Sequence, residues 1–492
     1  MANDTDVRNG LTRREFTVRL GAGAGAIAGS QLFGSFANAA PAVSRRVIGA
    51  NDRVVLASIG IRGQGNALKR GFARLKNVEH KTLCDIDGNL AASRINDERL
   101  ADVPTFKPGF AQDLRRVLDD KDIDAVVIAT PNHWHALATI WALQAGKHVY
   151  VEKPASHTVA EGRRMIEAQK HYGGLVQVGT MNRSRPAVKD AIRLIHEGGL
   201  GKVYMARGLC FKPRPAIGKY PDGPMQPGEK YALTVTSTSY EPAYDTTYLS
   251  NVDYDLWLGP APKRQFNRNR FHYNWHWHWD YGNGDTGNQG PHQFDIARWG
   301  LQKQEHPVKI RSVGGYFGEE SSQETPNEQT TMYEYADGAV MEFATRGGFT
   351  NDEAGVRIGN IFYGTKGWLW IEEAGKYWQS YFGPKNEPGP GTGPIPTEKP
   401  DPPTGLTTTE SPHYQNFIDA IRANDAKLLA CDITEGHLSS TLPHLANISY
   451  RVGRALVFDG HKEAFVNDKD ADKLLTRASG YRTGFELPKS YT

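Results

Sequence analysis

Between residues 53 and 151, short apolar runs alternate with helical stretches, and this alternation constrains the fold more than any other feature of the chain. Residues 53–59 (Arg-Val-Val-Leu-Ala-Ser-Ile) form a strand-like run, and a helical stretch follows to about Leu75. Residues 79–83 and 125–129 repeat the strand pattern. Residues 136–145 read as a helix, which Gly146 stops. Val149-Tyr150-Val151 is another buried strand, ended at Pro154 because proline cannot continue a ladder. Parallel strands need such crossover helices, so this part of the chain is expected to be an α/β parallel sheet covered on both faces.

The turn after the first strand is Gly60-Ile61-Arg62-Gly63-Gln64-Gly65, leading into a helix. A glycine turn there lets a pyrophosphate approach the backbone at a helix N-terminus. Against the pattern Gly-x-Gly-x-x-Gly, Gly60 and Gly65 fit the outer positions and Arg62 occupies the middle one. Asp85 follows the second strand, about twenty residues on, where an acid bonds a ribose hydroxyl. Asp85 and Asp87 have no basic residue between them and would repel a 2′-phosphate, so NAD is favoured over NADP. Lys153 stands at the carboxyl end of a strand, the edge where ligands bind in open α/β sheets. A half-sheltered lysine there can shift its pKa and take part in proton chemistry.

With these features in hand, the sequence resembles the Gfo/Idh/MocA family of nicotinamide-dependent sugar oxidoreductases. The resemblance rests on the glycine turn, Thr130-Pro131-Asn132-x-x-His135, Glu152-Lys153-Pro154, Gln177-Val178-Gly179 entering Asn182-Arg183, Leu256-Trp257-Leu258-Gly259-Pro260, and Gly290-x-His292-x-x-Asp295. It covers residues from about 51 to 458 and is nearest to the exported bacterial branch. It implies a Rossmann domain over residues 51–181 and an α+β domain with a largely antiparallel open sheet over 182–432. Residues 433–492 form a helix returning to the first domain, then a tail. It further implies that Thr130, Asn132, His135, Glu152, Lys153 and Asn182 serve NAD and Arg183 a sugar. His292 becomes the catalytic base with Lys153 as its partner, and a homo-oligomer, dimer or tetramer, is expected. One position departs from the family: many of its dehydrogenases carry Asp four residues before the histidine, and this chain carries Asn288. An amide can orient an imidazole without stabilising its cation as a carboxylate would.

The run Trp275-His276-Trp277-His278-Trp279-Asp280 offers two functional uses. In an extended segment His276, His278 and Asp280 share one face and could hydrogen-bond a sugar, while indoles on the other face stack on it. His-x-His with a nearby Asp also has ligand-like spacing. No third ligand is fixed by spacing, so no metal is expected.

In the second domain, strands are expected near 203–211, 308–318, 329–335, 340–345, 357–363 and 368–372, with a hairpin turn at Asp337-Gly338. Residues 218–252 and 383–405 read as irregular loops, and 412–423 and 433–458 as helices. Hydrophobic residues at 39%, charged residues at 23% and a net charge of +3 give no argument for nucleic acid or an anionic membrane. Cys84, Cys210 and Cys431 are too few and scattered for a disulfide framework.

Thr12-Arg13-Arg14-Glu15-Phe16, the small apolar run 20–28 and Ala37-Asn38-Ala39 resemble a twin-arginine export signal over residues 1–40. Periplasmic or secreted localisation through the twin-arginine machinery is expected. Three functions follow. The first is an NAD-dependent sugar or glycoside dehydrogenase. The second is a redox-neutral glycosidase, lyase or epimerase working through a transient keto-sugar. The third is a non-catalytic sugar-binding protein. Export makes the second serious, because an exported enzyme must regenerate its cofactor in place, either with a second substrate or within one cycle.

Overall fold

The computed structural model describes residues 53–223, 249–393, 395, 411–489 and 491. The proposed export signal and most of the 218–252 loop lie outside the described residues.

The first sheet has six strands: β1 (Val54–Ile59), β2 (Val78–Cys84), β3 (Gly109–Ala111), β4 (Ala125–Ile128), β5 (His148–Val151) and β6 (Val176–Val178). Their order is β3-β2-β1-β4-β5-β6, and every pair is parallel. This is the Rossmann arrangement. Strand order reverses between β1 and β4, and the crevice outside the strand ends at that point is where such sheets bind ligands. The principal helices beside it are α1 (Gly63–Ala73), α2 (Asn132–Gln144) and α3 (Val159–Tyr172). β1, β4 and β5 are buried throughout, as strands covered on both faces must be.

The second domain adds α4 (Pro186–His196), β7 (Val203–Cys210), the short helix α5 (Gly284–Asn288) and α6 (Gly290–Gly300). Then come β8 (Lys309–Gly315), β9 (Glu328–Glu334), β10 (Val340–Arg346), β11 (Ile358–Gly364), β12 (Gly367–Glu372), β13 (Trp378–Phe382) and β14 (Glu387–Gly391). The chain closes with α7 (Ser411–Ala423), α8 (Ile433–Val452), β15 (Leu456–Asp459) and β16 (Ala464–Phe465). The ten strands run in the order β14-β13-β12-β11-β7-β10-β9-β8-β15-β16. All pairs are antiparallel except β7 with β10. One face buries Tyr333, Met341, Phe343 and Phe362 against α4, α6 and α8. β9 shows the half-buried alternation, with Gln329, Thr331 and Tyr333 inward and Thr330, Met332 and Glu334 outward.

Two expectations are corrected. The helix expected over 433–458 ends at Val452, because the chain turns into a left-handed conformation at Gly453 (φ 69°) and residues 456–459 then pair with β8 as β15. The loop expected over 383–405 contains β14, which extends the sheet edge by pairing with β13. α7 lies within the segment 182–432, yet it packs on the first domain. Tyr414, Phe417 and Ile418 join Leu68, Phe72 and Tyr150, and the Phe72 and Tyr414 rings stack with centroids 4.8 Å apart.

α8 ties the two domains together. Its residue Glu435 and Asp295 of α6 hold Arg183, which follows β6. On the same helix His437 donates to Glu463 Oε1 at 2.7 Å, joined by His306 at 3.0 Å and by Arg163 of α3. Their ligand-type atoms lie within 4.8 Å of one another, as a metal would require. Arg163 binds both Glu463 oxygens, however, so the cluster is a hydrogen-bonded clamp with a cation already in place. Burial works to raise the Glu463 carboxyl, but the bonds from His306, His437 and Arg163 hold it well below the usual range. Among the described residues no helix is long and apolar enough to cross a membrane.

Candidate active site

The strand ends open onto a cavity of about 840 Å³ between the two domains. β1 delivers the glycine turn to it, β2 delivers Asp85, β4 delivers Thr130 and Asn132, and β5 delivers Glu152 and Lys153. Asn182 arrives just beyond β6. From the second domain come His276, Asn288 and His292.

The glycine turn brings the chain close to the start of β4's loop. Gly60 has φ +81°, and a Cβ there would sit 2.7 Å from the Ala129 backbone. A Cβ on Gly65 would fall 1.8 Å from Gly60 O, so Gly65 allows α1 to pack on the turn and is not part of the cavity wall. Gly63, where α1 begins, has no atom within 4 Å of its Cβ position. No side chain caps α1, so its first N–H groups are free for an anion.

Asp85 Oδ2 accepts from Ile61 N at 2.8 Å and Oδ1 from Asp87 N at 3.1 Å, tying the end of β2 to the turn. Burial raises the Asp85 carboxyl to about 6 against those two bonds. Arg62, at the middle glycine position, turns its guanidinium to Asp87 at 3.3 Å. Gln64 Nε2 donates to Glu152 Oε1 at 3.1 Å. His135 braces the loops after β4 and β5, with ring nitrogens 2.8 Å from Thr130 O and 2.7 Å from Pro154 O. Thr130 Oγ1 and Asn132 Oδ1 are buried at the wall without a hydrogen-bond partner. Buried polar atoms are nearly always paired, so this pair is suited to a polar ligand in the crevice. Residues that could hold a dinucleotide are therefore present: an uncapped helix N-terminus, a carboxylate after β2 and unpaired donor and acceptor groups after β4.

Lys153 precedes Pro154 across a cis peptide bond. Its Nζ donates to Asn288 O at 2.9 Å and is 3.4 Å from Asn288 Oδ1. Burial lowers its pKa from the ordinary lysine value; Glu152 opposes that shift and Lys212 adds to it. His292 lies in the first turn of α6, and its Nδ1 is buried without a partner. Burial pushes its pKa well below the ordinary value, reinforced by Lys153 and Arg185, so the ring rests neutral. Asn288 Nδ2 in turn donates to Asp285 Oδ1 at 3.4 Å, and Asp285 is held by Arg214 at 2.7 and 2.8 Å.

Besides Gly65, three sequence-predicted residues are not at this wall. Arg183 donates to Asp295 at 2.7 and 2.9 Å and to Glu435 at 2.8 Å, with its side chain 11% exposed. His278 Nε2 lies 2.9 Å from Asn269 O, and Asp280 pairs with Arg264 at 2.5 Å. The expected extended run is instead a 3₁₀ turn over His272–Trp277, and its three-residue period breaks the two-face alternation. Trp275 and His276 alone of that run's six residues reach the cavity, their rings stacked 3.5 Å apart. The cavity wall also includes Tyr273, Arg185, Lys212 and Glu373, which sequence reasoning missed. Lys212 carried a usable signal, since it stands just past the end of β7 as Lys153 stands past β5.

Comparison with known proteins defines the class. The model described as the oxidoreductase family, NAD-binding Rossmann fold, matches residues 57–180. The model for the family's C-terminal alpha/beta domain matches residues 240–361 and 399–485. The chain belongs to the Gfo/Idh/MocA oxidoreductase family. It is similar to the levoglucosan dehydrogenase of Pseudarthrobacter phenanthrenivorans, at 43% identity over 96 residues, 20% of this chain and 25% of the relative. A glycosyl hydrolase family 109 protein of Shewanella pealeana is 30% identical over 205 residues, 39% of this chain and 44% of the relative. The chain thus spans less than half the length of these curated relatives. Among solved structures, a levoglucosan dehydrogenase in complex with NADH and levoglucosan has the same fold, with a TM-score of 0.59 at 22% identity, covering 82% of this chain and 99% of that one.

Proposed function

We propose that this chain oxidises a secondary hydroxyl of a sugar or glycoside, with NAD as hydride acceptor. The observation that carries the reading is one cavity holding both an NAD-type crevice and the Lys153–His292 pair. In this reading NAD is held by the α1 N-terminus, Asp85, Thr130 and Asn132. Bound NAD supplies the hydride acceptor. The hydroxyl proton passes to neutral His292, while Lys153, fixed through Asn288, stabilises the developing alkoxide. The levoglucosan dehydrogenases among the relatives support a sugar substrate.

NAD titration tests the cofactor assignment. Wild type is expected to bind NAD and to discriminate against NADP, while Asp85→Asn binds NAD more weakly and loses the discrimination. Because the Asp85 carboxyl sits at about 6, NAD affinity should fall about tenfold from pH 7 to pH 5, and Asp85→Asn should abolish that dependence. A carboxyl raised by burial opposes folding once it ionises, so Asp85→Asn should keep or raise the melting temperature. NADP binding that equals or exceeds NAD binding would remove the assignment.

A redox-neutral cycle on a glycoside is the second reading, favoured by the glycosyl hydrolase family 109 relative. Net NADH formation separates the two, because the redox-neutral enzyme returns its hydride within each turnover. We also propose export by the twin-arginine route with cleavage near Ala39 or Ala40, on the strength of Arg13-Arg14 and the small-residue boundary. Arg13→Lys with Arg14→Lys should leave uncleaved precursor in the cytoplasm, and unchanged export would refute the assignment. Exposed Tyr204, Val313 and Met332 on the open sheet face support a homo-oligomer, which light scattering would register as a dimer or tetramer mass.

A further inference from the structure

Lys212 is a half-buried cation that no described residue engages. It lines the cavity with Lys153 and His292, and among the described residues it makes no ion pair and donates no side-chain hydrogen bond. The other charges at that end are mostly spoken for. Glu152 lies beside Lys153, and Arg214 is matched by Asp285. Arg185 is bonded to the carbonyl oxygens of Glu373 and Ala374. Lys376 is at the rim. Besides Asp85 and Glu152, Glu373 is the acid among the described residues that line the cavity.

The geometry points to a substrate that carries an anionic group, a carboxylate or a phosphate on the sugar, held by Lys212. This rests on the sugar-oxidoreductase reading above. An ammonium has three donors and no acceptor, and a neutral hydroxyl leaves its charge uncompensated. The oxidised nicotinamide is itself cationic, so a neutral sugar would complete a site with like charges crowded at reduced dielectric. An anion offsets Lys212 and the nicotinamide together. Position also fits. Lys212 is close enough to Lys153 and His292 for its charge to act on both. In this proposal the anion is held on the same sugar whose hydroxyl meets that pair, since all three residues line one cavity.

The test uses the NAD-loaded full chain and a panel of hexoses, each presented as the neutral parent, its C1 acid, its C6 acid and its 6-phosphate. NADH formation is followed, and binding is read in parallel from quenching of tryptophan fluorescence, since Trp275 is at the wall. At least one acid or phosphate is expected to exceed its neutral parent about tenfold in kcat/KM, mainly through KM. Lys212→Met should bring that ratio close to one, and Lys212→Arg should retain most of it. Preference for the acid assigns a carboxylate, and preference for the phosphate assigns a phosphoryl group. If no sugar yields NADH but an acid binds more tightly than its parent in a Lys212-dependent way, the anion site stands and the oxidoreductase reading fails. A panel in which no acid or phosphate outperforms its neutral parent, or in which Lys212→Met leaves the ratio unchanged, overturns the inference.

Discussion

Lys153→Met is expected to lower turnover by about 10²- to 10⁴-fold while leaving the NAD dissociation constant within a few-fold of wild type. The ammonium touches Asn288 and the reacting end of the cavity, whereas the glycine turn, Asp85, Thr130 and Asn132 are held by other bonds. His292→Ala should lose nearly as much. The double variant should lose little more than either single one, because the two groups serve one proton transfer and their effects do not add. Rapid mixing of sugar with NAD-loaded enzyme, followed by NADH absorbance, isolates this step from product release. Wild-type rates in both single variants would remove the mechanism and place the proton transfer on other groups.

Asn288→Asp extends the same logic with a definite sign. The family resemblance placed a carboxylate here to serve the histidine, but in this chain the residue's contacts are to Lys153 and Asp285. A carboxylate at this position would favour charged Lys153 and raise its pKa. The pH profile of kcat/KM should therefore shift to higher pH wherever neutral Lys153 limits the rate. Asp285 would face the new charge, though its pairing to Arg214 limits the repulsion.

The Rossmann half was legible because local rules and the global fold agree there. Buried runs such as Val54–Ile59 stand between a helix signal and a glycine turn, and nothing about them depends on distant partners. The second sheet was legible as strands, since Gln329 to Tyr335 alternates visibly, but not at its edges. β14 is Glu-Pro-Gly-Pro-Gly, a composition that reads as loop and pairs only because β13 offers an edge. β15 was hidden within a helical pattern, because Leu456 and Phe458 suit either period and only β8 decides between them. The Trp-His run misled for a related reason. Alternation fixes two faces only in extended backbone, and the 3₁₀ turn at His272–Trp277 sends His278 and Asp280 away from the cavity. Arg185 needed the tertiary fold to bring the start of α4 to the Lys153 edge, whereas Lys212 was signalled only by its place after β7.

Arg183→Met is expected to destabilise the folded chain by about 3–5 kcal/mol without a specific change in KM for any sugar that still turns over. Motif position suggested a substrate contact for Arg183. Its fork is instead bidentate on Asp295, which is 1% exposed, and also reaches Glu435. Burial opposes the Arg183 charge, but Asp295, and Glu435 behind it, raise its pKa above the ordinary value. Ser439 of α8 donates to Asp295 Oδ1 at 2.8 Å, and Arg298 of α6 approaches Glu435 at 3.3 Å. The network thus joins the end of β6, the middle of α6 and the first turns of α8, the contacts that hold the second domain against the strand ends. Removing Arg183 leaves the Asp295 carboxylate buried with one hydroxyl for company, which is the costly way to break an ion pair. Lysine would restore the charge but not the two-pronged geometry, so Arg183→Lys should recover only part of the loss. Urea unfolding monitored by tryptophan fluorescence measures the effect. A large rise in sugar KM with unchanged stability would return Arg183 to the substrate.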